Sequence, residues 1–402
     1  MAAHVDITDV LVVGGGVLGC ATAYHLACHG VDTLVVERGA LNREASGANA
    51  GTLHIQISNF HFRTQYLESP AASERKADFK LTNRLYAAAA EAWCGIEREL
   101  EADLGVRIVG GLMVAESEHE MEVLETKAAY ERSIGMQCEV LGRNDVLRLE
   151  PCLGRSVVGA SYCANEGFAN PLQAAPAYIR RAQQKGARLR LHTRVTDVER
   201  SSGCGWLVET TTGAIRVNRI LVAAGAQTRH VLGLLDLDLP LLPHALQVMV
   251  TAPQPPLLRH LIQHAGNRRL SMRQTQCRTF LIGGGWPALE PADARSSTRL
   301  EVSYRSLAGN AAVATEIVPA LREVPLIRAW AGMTTSTGRW NRVGFMGEDN
   351  RAGRGKLFVL VAGGWGFTLS PVLGRLAAEL IAEGRPSLEI EPFSLECAIA
   401  RM

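Results

Sequence analysis

Three glycines at a fixed spacing are the first residues in this chain whose types could do chemistry. Gly14-Gly15-Gly16-Val17-Leu18-Gly19 fits the pattern G-x-G-x-x-G, with Gly14, Gly16 and Gly19 in the defining places. The first glycine of such a pattern permits a tight turn, the second lets backbone approach a pyrophosphate, and the third lets a helix pack closely on a strand. A helix starting there offers free N–H groups and its positive dipole end to phosphates. Glu37 lies 18 residues beyond Gly19, where a carboxylate can accept hydrogen bonds from ribose hydroxyls. The glycine pattern alone also fits a ligand-free turn. Set between an apolar run and a helical pattern, with an acid closing the next apolar run, it points to a bound dinucleotide.

Several elements must position these residues. Val10 to Val13 is a continuous apolar run, as a central parallel strand requires. Val17, Ala21, Tyr24 and Cys28 recur on one helical face, Gly30 ends that helix, and Thr33 to Glu37 reads as a second strand. Asn170-Pro171-Leu172-Gln173 reads as the N-cap, N1 proline and N3 residue of a helix ending near Gly186. Leu189, Leu191 and Val195 alternate and begin a run of strands through Trp206 and Ile215 to Ile220. Ser370 and Pro371 read as N-cap and first residue of a final helix, with Leu376 to Leu380 on its apolar face and Gly384 past its end. Outside this framework, Leu85 to Leu100 has helical spacing, while Leu246 to Thr251 and Thr279 to Ile282 are strand-like. These imply an inserted domain of antiparallel sheet and helices.

Bulk properties narrow the class. At 402 residues the chain is too long for one simple core. A formal charge of +2 lacks the basic excess of a nucleic-acid binder, and the cluster from Arg180 to Lys185 reads as a solvated helical face. The N-terminal residues carry no signal-peptide pattern, and no apolar run approaches the roughly 20 residues of a membrane span. The nine cysteines form no C-x-x-C pair, so neither an iron–sulfur nor a zinc ligand set is expected, and no metal. Free thiols in the cytoplasm are the expectation.

After the second strand comes Arg43-Glu44-Ala45-Ser46-Gly47-Ala48-Asn49-Ala50-Gly51-Thr52-Leu53-His54, a small-residue loop that a mobile nicotinamide does not need. Together with Gly14 to Gly19 and Glu37, it resembles the D-amino-acid oxidase superfamily of flavoproteins. Within that superfamily it looks most like glycine oxidase and the beta subunits of sarcosine, opine and hydroxyproline dehydrogenases. Three later segments are similar as well: Ile220 to Ala226, Trp330 through Gly347, and Phe358 to Thr368.

The resemblance implies an α/β fold. A Rossmann-like FAD-binding domain (of the glutathione-reductase or p-hydroxybenzoate-hydroxylase kind) would be built from 1–84, 151–238 and 329–402. An inserted α+β substrate domain on an antiparallel sheet would come from 85–150 and 239–328. FAD contacts are implied for Gly14, Gly16, Val17, Leu18 and Gly19, and for Glu37 and Arg38. The loop would add Ser46, Gly47, Asn49, Ala50, Gly51, Thr52 and Leu53. Val195 would meet adenine through its backbone, and Ala223, Ala224 and Gly225 would lie beneath the dinucleotide. Trp330 and Gly332, with Gly363, Gly364, Trp365, Gly366, Phe367 and Thr368, would surround the flavin. A glycine loop feeding a helix N-terminus suits the charge of reduced flavin, although an ordinary capping loop looks the same.

The implied activity is removal of hydride from a carbon bearing nitrogen, giving an imine that water hydrolyses. The cofactor does the hard chemistry, and no general base is strictly required. Relatives carry an arginine shortly after Trp-x-Gly; here Thr334 stands there, and the usual acidic residue is missing from Gly338 to Arg342. A substrate carboxylate would then need another cation, with Arg273 and Arg339 as candidates, although arginines outside a motif are ordinarily exposed. His54 and Gln56 continue from the loop; His54 could tune the flavin, accept a proton, bind substrate or serve structure alone. Gln247 is expected to line the pocket.

Three functions stay open. One is an amine or amino-acid dehydrogenase or oxidase for a sarcosine-, proline- or hydroxyproline-like compound or an opine. Another is the catalytic beta subunit of a complex, passing electrons to partner chains with further redox centres. The last is a flavin-bound subunit without turnover.

Overall fold

The computed structural model describes residues 5–59, 62–67, 72–201, 205–289, 300–336, 345–348 and 356–395. Its centre is the strand Asp6–Val13, whose second half is buried to the last side chain. Thr33–Val36 pairs parallel on one side and Ile215–Val222 on the other, with Arg188–Arg190 and Lys356–Val361 parallel beyond them. The hairpin-linked strands Val195–Arg200 and Trp206–Thr210 extend one end, and Phe345–Glu348 pairs antiparallel with Lys356–Val361. Successive side chains of a strand face opposite sides. Val10 and Val12 therefore enter one core, while Leu11 and Val13 enter another beneath the sheet.

The helical layer over the first face contains Val17–Cys28, Pro171–Gln184 and Ser370–Glu383, with Ala72–Leu100 against the last. Val17–Cys28 is squeezed between two of these helices, so it is buried nearly all round rather than along one stripe, and Cys28 falls at its exposed end. A Cβ on Gly374 would stand 2.5 Å from that of Ala21, which measures how closely the first and last helices approach. Asn170 caps its helix as expected, accepting from the Leu172 N–H at 3.0 Å. The last helix is shifted by one: Leu369 is its N-cap, and Ser370 instead donates its hydroxyl to the Phe367 carbonyl.

A second eight-stranded sheet among the described residues runs Leu326–Ser336, Leu242–Thr251, Phe280–Gly283, Ser271–Gln274, Leu261–His264, Gly111–Ala115, Gly159–Cys163, Cys138–Gly142. Its core side, including Leu112, Ile262, Met272 and Phe280, packs under the helix Tyr304–Ile317. The pairing moves two segments across the expected boundary. Gly159–Cys163 lies within 151–238 and most of Leu326–Ser336 within 329–402, yet both belong to this sheet. Long-range hydrogen bonding decides this: Leu326–Ser336 pairs with Leu242–Thr251 along nearly its whole length, and Gly159–Cys163 is held between two strands of the second sheet. A small third sheet of Thr52–Leu53, Gly167–Phe168 and Arg107–Ile108 stitches the two bodies together. Among the described residues no helix is long and apolar enough to cross a membrane.

Gly374→Ala is expected to destabilise the protein by about 1–3 kcal/mol through overpacking, read as a lowered denaturant midpoint with unchanged slope.

Candidate active site

The phosphate cradle is built by backbone contacts that leave no room for side chains. Gly14 adopts φ +120°, and a Cβ there would stand 2.5 Å from the Ala223 carbonyl oxygen. A Cβ on Gly19 would lie 2.1 Å from the carbonyl oxygen of Gly14. The strand end at Ala223, followed by Ala224 and the turn Gly225–Gln227, thus meets the first turn directly. Gly16 is the helix N-cap and brings no capping side chain. The Val17 N–H donates to Ser46 Oγ at 3.0 Å, and Leu18 packs beside Gly366.

Glu37 closes the second strand with one carboxylate oxygen on the Gly15 N–H (2.8 Å) and the other on the Gly39 N–H (2.9 Å). Each oxygen keeps a second lone pair for a hydroxyl donor. The Thr193 N–H donates to the Glu37 carbonyl at 2.8 Å, which brings the buried Val195 alongside. Arg38 turns outward to Glu44, at 2.7 Å.

The following loop is shaped from within. Asn49 donates to the Ser46 carbonyl (2.6 Å) and accepts from the Gly51 N–H (2.7 Å), so its amide folds the loop. A Cβ on Gly47 or Gly51 would strike the carbonyl of Asn42 or Ala169, at 2.0 and 2.1 Å. The loop is also gripped from the second sheet. Trp330 Nε1 donates to the Ala48 carbonyl at 2.7 Å, Gly332 packs on Ala48, and Arg273 donates twice to the Ala50 carbonyl, at 2.9 and 3.2 Å. Thr368 Oγ1 donates to the Thr52 carbonyl, next to the buried Leu53, while its own carbonyl accepts from Trp93 Nε1. The turn from Gly363 to Thr368 is closed by Gly366 N–H to the Gly363 carbonyl. It leaves Gly364 exposed, packs Phe367 on Trp93, and stands Trp365 edge-on to His54 with ring centres 6.1 Å apart.

Beyond the loop lies a small set of polar groups. His54 Nε2 is 2.9 Å from Ser271 Oγ, and its Nδ1 is buried with no hydrogen-bond partner among the described residues. Burial pushes its pKa down to about 4, so the imidazole is neutral near pH 7. Arg273 shares a strand face with Ser271, two residues away. It is only 7% exposed, sits over the Phe168 ring at 4.4 Å, and has no carboxylate in ion-pair range among the described residues. Burial lowers its pKa to about 10, which keeps it charged. The expectation of an exposed arginine is therefore wrong here.

Two other expectations need correcting. Gln56 is sealed inside, donating to the Gly111 carbonyl and Glu166 and accepting from Lys127. Gln247 exchanges both amide bonds with the backbone of Ser303. Both side chains are buried, and their amides are turned to groups of the protein. Thr334 is partly buried opposite His244, and Arg339 lies outside the described residues. Ser271 and Phe168 escaped the sequence reading. Ser271 had a usable signal, its two-residue offset from Arg273; Phe168 sits in no chemical motif.

Gly14 and Gly19 closed to a Cβ, a helix whose N-cap brings no side chain, a carboxylate at the end of the next strand and an Nδ1 without a partner among the described residues together fit residues that would hold FAD. Comparison with known proteins decides the family. The profile of DAO, FAD dependent oxidoreductase, matches residues 9–380.

The chain belongs to the DAO family.

It is an FAD-dependent oxidoreductase. It is 27% identical over 394 residues to an opine oxidase subunit of Rhizobium meliloti, covering 96% of each chain. It is 28% identical over 408 residues to glycine oxidase of Geobacillus kaustophilus (strain HTA426), covering 98% of each. The crystal structure of glycine oxidase from Geobacillus kaustophilus superposes with a TM-score of 0.82 at 24% identity, over 97% of this chain and 98% of that one. The likeness covers the whole arrangement of two bodies about the loop.

Gly19→Ala is expected to abolish FAD binding, read as loss of the visible flavin band per mole of purified chain. His54 gives a second expectation. Its folded pKa of about 4 lies below the ordinary value near 6.5, so the unfolded chain takes up the proton first. The stability from a neutral His54 is present above about pH 6.5 and is lost as the pH falls towards 4. Denaturant midpoints of the apoprotein across that window should fall less steeply in His54→Phe.

Proposed function

We propose that this chain oxidises the C–N bond of a small amino acid or secondary amine bearing a carboxylate, and that Arg273 binds that carboxylate. The observation that carries this reading is Arg273 itself, a buried cation without a counter-ion among the described residues, held against the loop after the dinucleotide cradle. Leaving a charge buried and unpaired costs several kcal/mol, and an anionic substrate supplies the missing partner. Its Nε and Nη2 are used on the Ala50 carbonyl, so the fork is oriented before substrate arrives. A guanidinium here would do the work of the arginine absent at Thr334.

His54 and Trp365 fit the amine end. A neutral imidazole does not repel an incoming amine, and its free Nδ1 can take or give one hydrogen bond beside the reacting carbon. FAD, held by the glycine turn and the loop after it, would supply the acceptor for the hydride on the carbon that bears nitrogen, and the imine formed would be hydrolysed by water. The residues of the chain orient the C–H bond and exclude bulk water. Sarcosine-like, proline-like and opine substrates all meet this description. The seven described cysteines are free thiols, which fits a cytoplasmic setting.

A second reading follows from the likeness to the opine oxidase chain of Rhizobium meliloti: this protein is the catalytic member of a complex and its electrons leave to a partner. Fast turnover with a dye acceptor, slow turnover with oxygen, and co-purification of a second polypeptide would support it. Rapid peroxide formation by the isolated chain would count against it.

The test of the main reading is anaerobic mixing of the yellow protein with N-alkyl and cyclic amino acids. Bleaching of the visible band is expected with at least one, and its absence with all would overturn the reading. Arg273→Gln should raise KM for that substrate about 10- to 100-fold, the loss of 1.5–3 kcal/mol from a charged hydrogen bond. An unchanged KM would remove Arg273 from carboxylate binding.

A further inference from the structure

The strongest unexplained feature of the molecule is a carboxylate in its interior. Glu166 is fully buried between the small three-stranded sheet and the second sheet. Oε1 accepts from the backbone N–H groups of Ile55 (2.8 Å) and Gln56 (2.9 Å) and from Gln263 Nε2 (3.1 Å). Oε2 accepts from Gln56 Nε2 and Gln263 Nε2, both at 3.2 Å. The space is reserved for it, since a Cβ on Gly111 would lie 1.9 Å from Oε2.

The neighbouring ions do not account for this carboxylate. Lys127 and Glu131, both fully buried, pair with each other at 2.7 and 2.8 Å. Lys127 hydrogen-bonds to the Gln56 side chain, at 3.2 Å, and acts on Glu166 through its charge without bonding to it among the described contacts. Glu166 is therefore surrounded by neutral donors. An apolar replacement of matching volume is often as stable as such a buried ionic cluster, so stability alone is a poor reason for it.

Its connections run to the two groups singled out above. The amides it holds are those of the two residues directly after His54. The residues directly after Glu166, Gly167 and Phe168, pair with Leu53 and Thr52, and the Phe168 ring lies under the Arg273 guanidinium at 4.4 Å. The third arm, Gln263, lies on the strand paired with Ser271–Gln274. We propose that Glu166 is a positioning residue, whose carboxylate sets His54 and Arg273 relative to each other across the seam between the two sheets. This rests on the reading that those two residues face an amine bearing a carboxylate.

The test uses FAD-loaded wild type, Glu166→Gln and Gln263→Met. The glutamine variant keeps the size but turns a donor towards donors; the methionine variant keeps the carboxylate and removes one of its partners, in case the first does not fold. Hydrogen exchange needs no substrate. Residues 53–57 should exchange about tenfold faster in Glu166→Gln, with flavin content and the exchange of Pro171–Gln184 unchanged. A uniform rise over the whole chain, or none at 53–57, would overturn the proposal. Acetate, titrated by its perturbation of the flavin band, supplies the readout that a merely structural residue would not move. Glu166→Gln and Arg273→Gln should each weaken acetate about tenfold or more, and the double variant should be no weaker than Arg273→Gln alone. Fully additive losses would overturn the proposal. If acetate fails to bind wild type, the carboxylate reading of Arg273 falls, and the exchange pattern alone decides Glu166.

Discussion

The contact between the Gly19 backbone and the Gly14 carbonyl is too close for any side chain, and much of the structure follows from it. It lets the first helix start directly over the end of the central strand, with a glycine N-cap that brings no side chain to its N-terminus. It draws in the third participant, Ala223, whose strand must lie beside the first for the turn to close. A helix held so near the sheet is then covered on both flanks, which is why Val17–Cys28 is buried almost all round and why Gly374 faces Ala21.

The second sheet instead decides what happens at the reacting end. Trp330 on its edge strand and Arg273 on an inner one both donate to carbonyls of the same loop, at Ala48 and Ala50. The loop is thus fixed from above by the sheet and from below by its own Asn49. The electrostatics of the seam are unusual in a consistent way. A guanidinium without a counter-ion among the described residues and a neutral imidazole stand on the side proposed for substrate, while the buried carboxylates of Glu131 and Glu166 are turned inward to donors. Desolvation raises the pKa of Glu166 to about 7 in spite of its donors, whereas the same effect lowers that of Arg273.

Much of the nucleotide half was legible because its signals are local. The spacing of Gly14, Gly16 and Gly19, the apolar run before it, and Asn170-Pro171 at a helix start are each readable within a few residues, and each stands where expected. The site was legible in part. Glu37, Ser46 and Arg273 stand around the glycine turn and the loop that follows it, whereas the amides of Gln56 and Gln247 are engaged by distant groups, Glu166 and Ser303. Sheet membership was misjudged at Gly159–Cys163 and Leu326–Ser336 because pairing partners lie far away along the chain.

By itself, the order of residues determined that a dinucleotide cradle exists, where it is, and that the usual arginine is missing at Thr334. Those are matters of which atoms are absent, a Cβ or a guanidinium, and absence can be read one residue at a time. The tertiary structure alone decided that Arg273 is buried without a counter-ion among the described residues, that His54 Nδ1 has no partner among them, and that Glu166 accepts from the two amides after His54. Burial and hydrogen-bond saturation depend on what other strands bring to the same place, and no local pattern carries that information.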